Sequence, residues 1–221
     1  MAKAKSKVIE IGQLAAWVKD GSTIMVGGFL GCGSPNLLTD AIFDMGMRDL
    51  TIIANDSTRP GFGVGKLIAN RRVKKLITSH IGTNPETGKQ MNKGSLDVEL
   101  VPQGTLAERI RAGGAGLGAV VTPTGVGTIV QEGKRTIDIF GRTYLVELPL
   151  RASIALIYAE RADEMGNLYL RGSTRNMNPM MATAADTVIC EVGEIVPVGA
   201  MDPNIVTVPG VYVDYMVRRD A

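Results

Sequence analysis

Short apolar runs, separated by segments of helical periodicity and closed by glycine or asparagine, decide what this chain can build. Thr23–Val26, Leu50–Ala54, Val73–Thr78, Val98–Val101, Ala119–Val121, Ile154–Tyr158 and Thr187–Glu191 are too short for buried helices and read as strands. Ile11, Leu14, Ala15 and Val18 recur at helical spacing, which predicts an amphipathic helix over Ile11–Lys19, ended by Asp20-Gly21. Ser34-Pro35 predicts a helix start, serine as N-cap and proline at the first helical position. That helix runs through Leu37, Leu38, Ala41, Ile42 and Met45 and stops at Gly46. Leu106–Ala112, stopped at Gly113, and Asn178–Ala185, opened by Pro179, read as two more helices. Strand, loop, helix and strand in repetition give an α/β fold, a mostly parallel sheet with helices on both faces. Thr136–Phe140 and Thr143–Leu148 flank Gly141-Arg142 and add a β-hairpin region. Pro197–Pro209 is loop-like, and Val211–Val217 is a candidate closing strand. No linker interrupts the pattern, so residues 1–221 are expected to form a single domain.

Glycine is placed unevenly. There are 27, where average usage of about 7% gives roughly 15. They gather at Gly21–Gly33, Gly61–Gly65 and Gly113–Gly127 without a short repeat, so neither collagen nor a flexible linker explains them. Clusters of this kind mark loops where backbone must approach a ligand or another backbone. A chain of this length buries roughly 70% or more of its unfolded surface, so its two cysteines, Cys32 and Cys190, are not needed as a staple. Met1–Lys7 has no secretory pattern, and both thiols are expected to be reduced in a cytoplasm. Lys3, Lys5 and Lys7 read as a solvated basic tail. The net charge of +2 gives no electrostatic reason for a nucleic-acid or membrane partner. Gly21–Thr39 and Ala112–Gln131 lack charge, but their glycines, prolines and hydroxyl residues fit strand–loop–helix better than a membrane span.

In open parallel sheets, ligands bind beyond the carboxyl ends of the strands. Four strand ends here carry unusual residues: Gly27–Gly33, Asn55-Asp56, Gln103-Gly104 and Thr122–Gly127. They are expected to converge on one rim that offers backbone access and neutral polar side chains, without a clear acid–base pair. The first loop leads into a helix N-terminus, where free N–H groups and the helix dipole favour an anion. It matches no common nucleotide motif: counting from Gly31, Asn36 stands where Gly-x-Gly-x-x-Gly needs its third glycine. Gly61–Leu67 has one residue too few for a P-loop, and Leu67 replaces its Ser or Thr. His80 is the only histidine, which removes histidine metal clusters, and it reads as a structural or surface residue. Gly-x-Ser-x-Gly is absent. Cys32, just before a helix, reads as a small loop residue rather than a nucleophile.

Asp20-Gly21, the apolar Thr23–Val26, Gly27-Gly28-Phe29 and then Gly33-Ser34-Pro35 together resemble the first signature of the family I coenzyme A-transferases. Pro102–Gly116 (PQGTLAERIRAGGAG) and Thr122–Gly133 (TPTGVGTIVQEG) resemble two further blocks of the same subunit type. Ile81–Lys89 (IGTNPETGK) resembles a stretch of the acetate, butyrate and acetoacetate branch. The likeness runs from about Asp20 to Val217, and it implies the α half of a two-part enzyme. In that family the nucleophile is a glutamate in a Glu-Asn-Gly-type motif of the β half. No Glu-Asn-Gly occurs here, and Glu164-Met165-Gly166 is the nearest string, so no catalytic residue is assigned to this chain. The resemblance implies carboxylate covalent catalysis: an acyl-CoA thioester becomes a mixed anhydride, then a glutamyl-CoA thioester, and the incoming acid reverses the steps.

It further implies coenzyme A as a substrate, no permanently bound cofactor, and an α2β2 or larger hetero-oligomer. Gly27, Gly28, Phe29, Leu30, Gly31, Cys32 and Gly33 would contact coenzyme A. Gln103 is a candidate amide for the acid's carboxylate or keto oxygen, and Asn55 a further candidate for the same pocket. Gly113–Gly116 reads as tight helix packing. The implied substrates are short-chain acyl-CoA and a free acid of the acetate or butyrate–acetoacetate type. A dicarboxylic alternative, 3-oxoadipate or succinyl-CoA:3-oxoacid transfer, would want a pocket cation such as Arg59. A non-catalytic protein that binds CoA esters or sugar phosphates is the alternative outside enzymes.

Overall fold

A computed structural model describes residues 6–219. The segment expected as the first α-helix is instead a six-residue 3-10 helix, Ile11–Ala16. Only Leu14 and the following Val18 are buried there, too little apolar area to sustain a longer α-helix. Lys7 is not a solvated tail residue: its Nζ donates to Gly210 O at 2.6 Å and Val213 O at 2.7 Å. Lys3 and Lys5 lie outside the described residues.

The alternation then unfolds much as the apolar runs demand. Strand β1 is Thr23–Val26, helix α1 Asn36–Asp44, β2 Leu50–Asp56, α2 Gly63–Ala69, β3 Val73–His80, α3 Pro85–Asn92, β4 Asp97–Leu100 and α4 Gln103–Ala115. After these come β5 Val120–Thr122, β6 Thr136–Ile139, β7 Arg142–Glu147, β8 Ala152–Asp163 and β9 Leu168–Tyr169. The chain closes with α5 Asn178–Met181, β10 Ala185–Val196 and β11 Tyr215–Arg218. The main sheet is ordered β11-β10-β8-β1-β2-β3-β4 and is parallel throughout, with β9 pairing antiparallel to β8. Order reverses beside β1: the chain first builds outward to β4, then returns to β8 on the other side.

Alternate residues of the central strands feed two separate cores. Ile24, Val26, Ile52, Ala54 and Leu76 pack with Leu38 and Ile42 of α1 and Leu67 and Ile68 of α2. Met25, Ile53 and Ile77 pack on the opposite face with Leu106 and Ile110 of α4 and Met181 of α5. Helices therefore cover both faces, and the strands read as continuous apolar runs because neither side meets water. Each fully buried Leu or Ile in these layers contributes about 1.5–3 kcal/mol.

Several local expectations shift. Ser34 is not the N-cap; α1 starts at Asn36 with Pro35 at the cap position, and the buried Ser34 faces the glycine loop. Helix α4 begins at Gln103 and runs through Gly113 to Ala115, ending at Gly116 in the left-handed conformation (φ 70°). Gly113 is there for packing, since a Cβ on it would stand 2.0 Å from Leu150 O. Helices α2 and α3 carry too short or too polar a face to show in hydrophobic periodicity. The signal for α3 was its cap, Asn84 followed by Pro85, where Asn84 Oδ1 accepts from Glu86 N. The helix expected over Asn178–Ala185 is shorter, because Ala185 already belongs to β10. The closing strand is confined to Tyr215–Arg218, since Gly210–Tyr212 forms a 3-10 turn.

The hairpin forms as expected, but Ala119–Val121 does not join the parallel sheet. Its observed counterpart, β5, pairs antiparallel with β7, and β6 lies on the other side of β7. Thr122–Gly127 consequently leaves the set of parallel-strand ends.

Candidate functional site

Because β1 to β4 all run parallel, their carboxyl ends share one rim. β1 delivers the glycine loop, β2 Asn55 and Asp56, β3 Ser79 and His80, and β4 leads through Val101-Pro102 into Gln103.

Half of the glycine loop is packing. A Cβ on Gly27 would stand 1.8 Å from Asn178 Oδ1, one on Gly28 2.2 Å from Ser34 Oγ, and one on Gly33 3.0 Å from Thr174 Cβ. Asn178 is fully buried and binds the loop to the sheet: its Oδ1 accepts from Tyr158 N, and its Nδ2 donates to Gly33 O and Thr174 O. The other half is presented outward. Phe29 and Cys32 exchange backbone hydrogen bonds of 3.0 and 2.9 Å across Leu30-Gly31, both at positive φ (49° and 88°). That is the geometry of a type I′ turn. Leu30 is 53% exposed, and nothing lies within 4 Å of a Cβ placed on Gly31. Cys32 is exposed, with Sγ 3.0 Å from Ser173 Oγ, while the free Cys190 is buried and its thiol is pushed well up by burial.

The expected anion site at the N-terminus of α1 is already filled from within the chain. Glu191, fully buried on β10, accepts from Leu37 N through Oε2 at 2.8 Å, and its Oε1 lies 3.1 Å from Arg219 Nε. Burial raises the Glu191 carboxyl above its ordinary value; Arg219 and the Leu37 and Leu38 amides pull against that shift. The helix dipole is answered by this carboxylate, so the amide of Leu37 is not open to a ligand.

Asp56 is the hub that sequence reasoning missed. It is 3% exposed, and Oδ2 accepts from Leu30 N and Asn55 Nδ2, each at 2.8 Å. Its Oδ1 accepts from Thr58 N at 2.9 Å. Leu30 and Thr58 both hold left-handed backbone conformations (φ 49° and 48°), so one carboxylate ties down two strained turns. The chain continues outward: Gln103 Nε2 donates to Asn55 Oδ1 at 2.8 Å, and Ser79 Oγ donates to Asn55 O at 2.7 Å. Gln103, Asn55 and the glycine loop, picked from distant stretches of sequence, thus form one hydrogen-bonded network. The only sequence signal for Asp56 was its place beside Asn55 at a strand end.

Two clefts flank the Leu30 turn. One, of about 330 Å³, is lined by Phe29, Leu30, Asn55, Ser79, His80 and Gln103. The other, of about 320 Å³, is lined by Leu30, Gly31, Asn36, Thr58, Arg59 and Phe62. Arg59 therefore serves the second cleft, and the first has neither Lys, Arg nor a carboxylate in its lining. Among the described residues, no cluster of His, Cys, Asp and Glu is placed to ligate a metal ion. No helix among them is long and apolar enough to cross a membrane.

The doubly covered parallel sheet, with a polar cleft outside its strand ends, places the chain among the open α/β folds, in which ligands bind at that rim. A family model described as Coenzyme A transferase matches residues 8–219, and the chain belongs to that family. It is 52% identical over 213 residues to the alpha chain of the acetate CoA-transferase of Escherichia coli K12, covering 96% of this chain and 97% of that one. It is 50% identical over 216 residues to the alpha chain of the acetoacetyl-CoA:acetate/butyrate CoA transferase of Clostridium acetobutylicum, covering 98% and 99%. The corresponding chain of a succinyl-CoA:3-ketoacid coenzyme A transferase from Xanthomonas campestris is 50% identical over 204 residues, covering 92% and 84%.

Solved structures share the fold. The glutaconate coenzyme A-transferase of Acidaminococcus fermentans superposes with a TM-score of 0.86 at 23% identity, over 96% of this chain and 75% of that one. An acyl-CoA transferase of E. coli O157:H7, solved as a thioester complex with CoA, gives 0.85 at 22% identity over 98% of this chain. The present chain spans about half of that one, 48%.

Proposed function

We propose that this chain is the α half of a CoA-transferase that moves coenzyme A between a short-chain acyl-CoA and a free monocarboxylic acid. The reading is carried by the 330 Å³ cleft: it has amides and an imidazole to hold an acid, and its lining has no carboxylate to act as nucleophile. Asp56, the nearest acidic group in the network, is buried and committed to three donors. A β chain would bring the glutamate, which attacks the thioester carbonyl and expels the CoA thiolate. The thiolate then attacks the glutamyl carbonyl, releases the first acid as its carboxylate, and leaves an enzyme thioester for the second acid. Exposed Phe29, Leu30 and Phe62 around both clefts give the β chain an apolar surface to cover, and closure would keep water from the anhydride.

Within the loop, the Phe29–Cys32 turn is the part placed to meet coenzyme A, while Gly27, Gly28 and Gly33 hold the turn in position. Gln103 supplies an amide to the acid, and Asn55 supports Gln103 from below. A dicarboxylic acid is the second reading, motivated by the X. campestris relative and by Arg59. The cleft geometry favours the monocarboxylate, because Arg59 stands on the far side of Leu30. The unpaired thiols suit a reducing cytoplasm, and an α2β2 or larger assembly follows from the same reading. The deciding experiment is acetyl-CoA exchange with acetoacetate or butyrate, using the chain alone and mixed with a matching β chain. Activity only in the mixture is expected. Activity of the chain alone would place the nucleophile here, and none in either case would favour a non-catalytic binding protein.

A further inference from the structure

The donors of the 330 Å³ cleft can be counted. Asn55 spends one of its two Nδ2 hydrogens on Asp56, and at 2% exposure it has little surface to offer a ligand with the other; the single hydroxyl hydrogen of Ser79 goes to Asn55 O. Gln103 Nε2 spends one of its two hydrogens on Asn55 Oδ1. One Gln103 N–H therefore remains for a ligand, and a carboxylate presents two oxygens. The other lining side chain with an exposed donor is His80, at the carboxyl end of β3. Its imidazole enters no hydrogen bond among the described residues, although the loop around it is well tied: Thr83 Oγ1 donates to Thr58 O and Asn84 Nδ2 to Ser57 O. The ring lies against Gly82, where a Cβ would stand 3.0 Å from its Cε1 and 3.1 Å from its Nε2. Gly82 leaves room for the ring, and Thr83 and Asn84 anchor the turn that follows it.

We propose that His80 is a second acid-binding residue, whose ring N–H and the remaining Gln103 N–H hold the two carboxylate oxygens of a short monocarboxylic acid. The inference rests on the transferase reading and assigns the substrate class within it. The ring needs only one N–H to hold an oxygen, and with neither Lys nor Arg in the lining the site takes one carboxylate and offers no guanidinium or ammonium for a second. Replacing the imidazole with a planar guanidinium would supply that cation.

His80 is the chain's only histidine, so its ring signals identify themselves when a histidine-labelled α chain is mixed with an unlabelled β chain. Titration with acetate or acetoacetate is expected to shift those signals saturably, and succinate to shift them less. H80F is expected to raise the acid's KM about tenfold, the loss of one hydrogen bond to a charged group, with the acyl-CoA KM unchanged. H80Q, which keeps a donor, is expected to recover most of the affinity. H80R is expected to move exchange preference toward succinate. Ring shifts without exchange in the wild-type mixture would uphold the acid site and sink the transferase reading. Exchange with no ring shift and unaltered H80F kinetics would overturn the role of His80 alone.

Discussion

The sharpest consequence of the site geometry concerns Asp56. Its carboxylate satisfies the amides of Leu30 and Thr58 and the side chain of Asn55. Replacing it with alanine leaves three donors without a charged acceptor, each worth about 1–3 kcal/mol. Two terms reduce that sum. A buried carboxylate carries a desolvation cost of several kcal/mol that disappears with it, and the rim amides can rehydrate. The net expected loss for D56A is about 2–4 kcal/mol, or a Tm lowered by about 4–16 °C for a chain of this size. D56N has nearly the same shape. Its amide oxygen can still accept from Leu30 N and Asn55 Nδ2 but then presents N–H to Thr58 N, so about 1–2 kcal/mol should be lost. The loss should also be local. Leu30 and Thr58 sit at positive φ, and without Asp56 both turns are expected to relax. Amide hydrogen exchange at those two residues should speed up in D56A far more than in the β1–β2 ladder. Unchanged protection at Leu30 and Thr58, or a D56A midpoint no lower than that of D56N, would refute the hub argument.

The glycine loop separates packing from presentation, and the two predict different assays. G27A drives a methyl into Asn178 and should cost about 2 kcal/mol or more in urea unfolding. G31A meets no atom and pays only for φ 88°, about 1 kcal/mol, so its larger effect should fall on the KM for acyl-CoA. If G31A leaves that KM untouched, the turn does not meet coenzyme A. Glu191 gives a pH signature. Burial raises its folded carboxyl above the ordinary 4.5, so the folded chain holds this proton more tightly than the unfolded chain. Its contribution is therefore most favourable at or below that ordinary value and declines as pH rises through the raised range. E191Q, which keeps an acceptor for Leu37 N, should gain stability relative to wild type as pH rises from about 4 to 7. A constant difference across that range would contradict the assignment.

What the sequence determined by itself was the alternation and the cast. Thr23–Val26 and Leu50–Ala54 are strands because short apolar runs buried on both faces leave no other option, and the same logic placed helices on either side. Asn55, Gln103 and the glycines were legible as site candidates because strand ends are where such folds expose polar groups. Ser34 is not the cap its residue type suggests, because cap propensity alone does not show that the buried serine packs against Gly28 of the loop. The short Ala119–Val121 run was assigned to the wrong sheet because strand propensity carries no information about the partner strand. Tertiary structure alone decided where the charges went. Glu191 is 154 residues from Leu37, yet it occupies the helix terminus that local reasoning had offered to a ligand. Asp56 became a hub only when Leu30, distant in sequence, was folded back over the end of β2. Periodicity is a local property of the chain and survives without contacts. Which carboxylate meets which amide is fixed only when distant strands come into register, and that is where the site was made.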